Sequence, residues 1–173
     1  MNTLKKPALF NLCFILAILW ILMSTSPTKA EDKIIVVAST SWTGAIAEAA
    51  GADEVRILAP FELKHPPEYD YRPSDIAQLR SARLLVYGGY EPFVKKLAYA
   101  AGLPREKMIV IVTSNDPDNL KKQARFLAEK MGTQKREAVW ENVFEKALAD
   151  IQQQAKKNKI SRKKVLVQKY QLP

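Results

Sequence analysis

Between residues 33 and 112 the chain alternates short apolar runs with longer amphipathic ones. Lys33-Ile34-Ile35-Val36-Val37-Ala38-Ser39 is β-branched and apolar almost throughout, the pattern of a strand covered on both faces. Thr40-Ser41 can cap a helix over Trp42 to Ala50, which Gly51 ends. Glu54 to Ala59 is a second strand, followed by a loop from Pro60 to Arg72 that holds three prolines, two tyrosines and the single histidine, His65. Pro73-Ser74-Asp75 opens a second helix, because proline suits a first helical turn. Arg83 to Tyr87 is a third strand ending at Gly88-Gly89, Pro92 to Ala101 a third helix ending at Gly102, and Lys107 to Val112 a fourth strand. Strands separated by helices predict an α/β fold with a parallel sheet and flanking helices, which takes its ligand in the loops at the carboxyl ends of the strands.

After Asp116-Pro117 the period changes. Residues 118–158 contain no proline and only Gly132 as a breaker, with Phe126, Leu127, Met131, Val139, Trp140, Val143, Phe144, Ala147, Leu148 and Ile151 at helical spacing. The spacing predicts one long connector helix over 117–160, weakest at Gly132-Thr133, its apolar stripe laid against the preceding sheet. Ser161-Arg162-Lys163-Lys164 then leads to Val165-Leu166-Val167, the start of another strand.

The first thirty residues stand apart from this pattern. Lys5 and Lys6 precede the uncharged stretch Pro7 to Met23, and a polar segment ends at Ala30 before Glu31-Asp32. That is a signal-peptide layout with cleavage after Ala30. The alternative is an uncleaved anchor, since a helix of that length reaches roughly 26 Å against a hydrocarbon core of about 30 Å. Either way the mature part is expected outside the cytoplasm, in the periplasm or on the outer face of the cytoplasmic membrane. The domains are therefore read as leader 1–30, α/β lobe 31–116, connector 117–160 and the start of a further lobe 161–173.

Export changes the meaning of the net charge of +9. The leader carries three lysines and no acid, residues 31–120 ten basic and thirteen acidic side chains, and residues 121–173 fourteen basic and five acidic ones. Lysines spread along a helix are a solvated face, and an exported protein meets little nucleic acid, so no nucleic-acid partner is expected. One cysteine, Cys13, and one histidine exclude a CxxC pair, a Cys/His zinc knuckle, a Cys–His couple and an intrachain disulfide. Gly88-Gly89 lacks the residues of a phosphate loop, and no nucleophile, base and orienting group form a trio, so the chain is not read as an enzyme and no catalytic cofactor is expected.

The ordered set Val36 to Trp42, Glu54-Val55-Arg56, Tyr69-x-x-x-Pro73-Ser74-Asp75 and Leu84-Leu85-Val86-Tyr87-Gly88-Gly89 resembles the amino-terminal lobe of the zinc/manganese-type substrate-binding proteins of ABC importers. The helix after Pro117 resembles that family's connector, and Lys164 to Val167 the first strand of its second lobe. The resemblance implies an extracytoplasmic solute-binding protein that takes a divalent metal ion, zinc or manganese, as transported ligand and hands it to an ABC permease in the cytoplasmic membrane. It also implies a degenerate site. Pro67, the segment Thr113 to Pro117, and Gln168 stand where the family places histidine ligands, and its carboxylate ligand would lie beyond Pro173.

The residues themselves leave three readings open. His65 with Glu68 and Asp70 in one loop could ligate a cation, because zinc and manganese sites without thiolates are built from imidazole and carboxylate. Alternatively Tyr69, Tyr71 and Arg72 could form the aromatic walls and anion fork of a non-metal ligand site. The third reading is an interaction lobe whose loop charges are simply solvated.

Overall fold

The computed structural model describes residues 33–63, 65 and 68–158. The leader at 1–30 and the expected strand at 165–167 lie outside them. Strands β1 (Ile35–Ala38), β2 (Glu54–Ile57), β3 (Leu84–Tyr87) and β4 (Met108–Val110) form one sheet in the order β2-β1-β3-β4, every pair parallel. The strands are shorter than their apolar runs because pairing stops where each chain turns toward its helix. Val36, Val37, Leu85 and Val86 on the two inner strands are fully buried, each side chain contributing about 1.5–3 kcal/mol of transfer free energy.

Helices α1 (Ser41–Ala49), α2 (Pro73–Ser81) and α3 (Pro92–Ala101) connect the strands, and α4 (Pro117–Met131) and α5 (Gln134–Lys157) follow β4. Alternate strand residues point to opposite faces and create two cores. On one face Ile34, Val36, Val86, Ile109 and Ile111 meet Ile46 and Ala47 of α1 and Leu127, Ala128 and Met131 of α4. On the other, Val37, Leu85 and Tyr87 meet Leu79 of α2 and Phe93, Val94 and Leu97 of α3. Covering both faces makes the near-continuous apolar runs of β1 and β3 stable as strands.

The connector differs from the sequence expectation. It is two helices, not one. Gly132 adopts a left-handed conformation at φ 77° and ends α4. The chain then reverses: Arg125 of α4 pairs with Glu141 of α5, Nε to Oε2 at 2.7 Å, and Lys121 with Glu145, so the helices run antiparallel. The junction is tied to the lobe. Thr133 Oγ1 donates to the Ala50 carbonyl at 2.5 Å, and Arg136 donates to the Gly51 carbonyl at 3.1 Å and Asp53 Oδ1 at 2.7 Å. Only part of the apolar stripe is core. Leu127 and Met131 of α4 are buried, whereas Val139, Val143 and Ile151 of α5 are exposed.

Gly51 and Gly132 both have positive φ, yet only Gly51 is crowded, a Cβ there lying 2.7 Å from that of Arg136. Gly132→Ala is therefore expected to cost about 1–2 kcal/mol of backbone strain alone. Gly51→Ala is expected to cost more, because α5 must also move. Urea unfolding of both variants checks the order.

Glu137, in the first turn of α5, is buried, and its Oε1 has no hydrogen-bond partner among the described residues. Burial pushes its carboxyl above the usual range, and the neighbouring Glu141 pushes it the same way. The hydrogen bond from Arg125 holds Glu141 lower. A carboxyl that binds its proton more tightly when folded loses stability as pH rises from the ordinary carboxylate range through its raised value. Glu137→Gln, which mimics the protonated form, is expected to match wild type in urea midpoint at pH below the carboxylate range and to exceed it at neutral pH.

Candidate functional site

All four strands deliver their chain to one edge of the sheet. β1 leads to α1 on one face and β3 to α3 on the other, so the backbone diverges between them, where open α/β sheets leave a crevice. The base of this divergence is polar and closed. Ser39 N–H donates to the Val86 carbonyl at 2.9 Å, continuing the β1–β3 pairing by one residue. Ser39 Oγ donates to Glu91 Oε1 at 2.5 Å, and the Gly88 N–H donates to the same oxygen at 3.0 Å. Glu91 is 3% exposed, and its Oε2 is buried without a partner among the described residues.

Thr40 caps α1 beside this carboxylate. Its N–H donates to Thr43 Oγ1 at 3.1 Å, and Thr43 Oγ1 donates to the Thr40 carbonyl at 3.0 Å. Satisfying these groups locally allows Ser39, Thr40 and Thr43 all to be buried. Tyr90 folds over Gly88, where a Cβ would lie 2.3 Å from a ring carbon, so a larger residue there would displace the exposed Tyr90 ring. Tyr90, Trp42, Phe61 and Val112 are each exposed, one on the segment leaving each strand.

The loop after β2 carries the sequence-predicted site. His65, Glu68 and Asp70 are exposed, and the Glu68 N–H donates to the His65 carbonyl at 2.9 Å. Among the described residues no group of three or more His, Cys, Asp or Glu side chains is gathered so as to hold a metal ion. The alternative set is divided. Tyr69 is not a ligand wall but core: it is buried, packs edge-on against Phe93 with centroids 5.4 Å apart, and donates from its hydroxyl to Asp75 Oδ2 at 2.9 Å. Burial raises its phenol pKa, and the bond to Asp75 acts the same way. Tyr71 is half-buried against the same core. Arg72 donates its backbone N–H to Asp75 Oδ2 at 2.7 Å, which locks the start of α2, while its side chain is exposed.

The segment before α4 is shaped by its own hydrogen bonds. Asp116 accepts from the Asn119 N–H at 2.8 Å, which holds its carboxyl below the usual range. The Asn119 amide donates to the carbonyls of Val112 and Ser114, both at 2.9 Å. Asn115 remains exposed on this turn.

Sequence reasoning missed Glu91 and gave Ser39 no role. The only local signal is a carboxylate immediately before Pro92, which reads as a helix cap. Its burial is set by Ser39, 52 positions away.

No family model and no curated protein matches the chain. Solved structures similar to it include an Mn-bound periplasmic metal binding protein from Candidatus Liberibacter asiaticus, at 15% identity and TM-score 0.49 over 68% of this chain and 54% of that one. The metal-dependent lipoprotein YcdH from Bacillus subtilis is similar at 17% identity and TM-score 0.49 over 72% and 54%. Zn(II)-bound AdcA from Streptococcus pneumoniae is similar at 16% and 0.49 over 66% and 31%. The chain spans about half the length of the first of these, and less of AdcA.

Ser39→Ala is expected to destabilise the lobe by about 1.5–3 kcal/mol, the worth of a hydrogen bond to a charged group. Glu91→Gln keeps the Oε1 acceptor and should cost less than Glu91→Ala. Urea midpoints of the three variants check both statements.

Proposed function

We propose that this lobe belongs to an extracytoplasmic solute-binding protein that takes a divalent metal ion, zinc or manganese, and presents it to an ABC permease in the cytoplasmic membrane. The observation that supports this most directly is the placement of His65, Glu68 and Asp70, solvent-accessible and on one loop, at the carboxyl edge of the sheet. The ordered motifs at Val36 to Trp42, Tyr69 to Asp75 and Leu84 to Gly89 support the same family reading.

The donor set suits such a cargo. An imidazole and two carboxylates meet the coordination preferences of zinc and manganese, and a site completed by water or by further ligands keeps an exchangeable position. In this reading His65 is the nitrogen ligand and Glu68 and Asp70 supply charge, the loop closing on the ion to bring together side chains that are not gathered without it. Because they are exposed, a bound ion stays close to water and is weakly held, as a transported ion released to a permease requires. The non-metal alternative has less support, since Tyr69, the central member of its aromatic wall, is spent in the core.

Calorimetric titration of the full chain with zinc and with manganese tests the proposal. Saturable binding is expected, weakened about tenfold or more in His65→Ala and less in Glu68→Gln, with folding unchanged in both. Tight binding that is indifferent to His65→Ala would put the site elsewhere, and no binding of either ion would remove the metal reading.

A further inference from the structure

On the α2/α3 face two short helices cover β1 and β3 but reach β4 only at Met108. Met108 is half-buried there, and Val110, two residues on and on the same face, is 52% exposed. Between α3 and β4 runs an open groove of about 530 Å³. Ala98, Leu103 and Met108 give it an apolar floor, and Tyr99, Lys95 and Arg105 form its rim. Tyr99 is 90% exposed, and neither Lys95 nor Arg105 makes an ion pair among the described residues.

The charged residues that line the groove, Lys95 and Arg105, are both basic, and the segment that carries them is one-sided in a way that the sequence conceals. Between Pro73 and Lys107 there are six basic residues and three acidic ones, a moderate excess. Two of the acids, Asp75 and Glu91, are buried and committed to internal hydrogen bonds, which leaves Glu106 as the one exposed acid. Arg80, Arg83, Lys95, Lys96 and Arg105 are all exposed.

We propose that this groove docks an acidic amphipathic segment of a partner protein, with an apolar side chain over Ala98, Leu103 and Met108 and flanking carboxylates on Lys95 and Arg105. Charge complementarity selects an acidic occupant, and Arg105 can grip a carboxylate through two parallel N–H bonds. The apolar floor selects an occupant with an apolar anchor rather than a free inorganic anion, which would leave that floor wet. Concavity favours a protruding protein segment over a planar lipid surface. An exposed tyrosine on the rim supplies contact area with little conformational entropy to lose. The groove flanks β4, whereas the His65 loop leaves β2 at the other edge of the sheet. The lining of the groove shares no residue with the His65 loop, and this proposal does not depend on the metal reading.

Fluorescence anisotropy with a fluorescein-labelled synthetic peptide, Asp-Glu-Glu-Leu-Phe-Glu-Asp-Asp, tests the inference against the same peptide with lysine at every acidic position. The acidic peptide is expected to bind saturably and more weakly as salt rises. Lys95→Glu combined with Arg105→Glu is expected to weaken it about tenfold or more, and Tyr99→Ser severalfold, all three sites being exposed enough to change without unfolding. Failure of the acidic peptide to bind, equal binding of the lysine peptide, or binding indifferent to both variants would overturn the proposal. Binding to phosphatidylglycerol vesicles that is lost in the double variant and not displaced by the peptide would reassign the groove to membrane contact.

Discussion

β1 and β3 are adjacent and parallel, and each must hand its chain to a helix on the opposite face. The architecture of the carboxyl edge follows from that divergence. Where two neighbouring strands part, their backbones stop serving one another, while the apolar layers beneath keep water out. Glu91 bridges the gap by accepting from Ser39, which ends β1, and from Gly88, which ends β3. A carboxylate taken out of water carries a desolvation cost that only a well-made set of hydrogen bonds offsets. Here two bonds converge on one oxygen and the other is left bare. The bridge thus secures geometry at the parting of the strands, and the capped start of α1 and the glycine turn under Tyr90 build on it.

Legibility from sequence divides along the line between local and distant causes. The strands and α1 to α3 were readable because their signals are local: a β-branched run for β1 and an apolar run for β3, proline in the first turn of α2, α3 and α4, and a left-handed glycine closing α3. The carboxyl-edge position of the His65 loop follows directly from the alternation of strands and helices. Tyr69 was not readable as core. A tyrosine in a proline-rich loop looks solvated until Asp75 is seen to take its hydroxyl and Phe93 its ring. The hairpin of α4 and α5 was half readable, since Gly132 marks a weak point but helical spacing is the same in a straight helix and in a reversed one. What decides the reversal is Thr133 on Ala50, a contact 83 positions apart in the chain.

Burial also edits the charge that a sequence displays. Glu137 sits in the first turn of α5, where a carboxylate ordinarily faces solvent and the helix dipole. It is instead enclosed beside the Arg125–Glu141 pair, with one oxygen unpartnered. Glu91 and Asp75 are withdrawn from the surface in the same way. A count of acids and bases along the chain therefore describes the exterior only after the enclosed acids are removed from it.

Of the two helices that follow β4, α5 is rooted at one end only. Leu120, Ala124, Leu127, Ala128 and Met131 seat α4 along its length, whereas Thr133 and Arg136 seat only the first turns of α5. Farther out α5 is a cantilever, braced to α4 by Arg125–Glu141 and Lys121–Glu145. Two beams tied along their length resist bending far better than two that slide, so rigidity at the outer end depends on braces that dissolved salt screens. At the root, Asp53 takes Arg136 on one oxygen and the backbone N–H of Ile34 on the other. A load on the outer turns of α5 is thereby carried to the head of β1, the strand from which the carboxyl edge is hung.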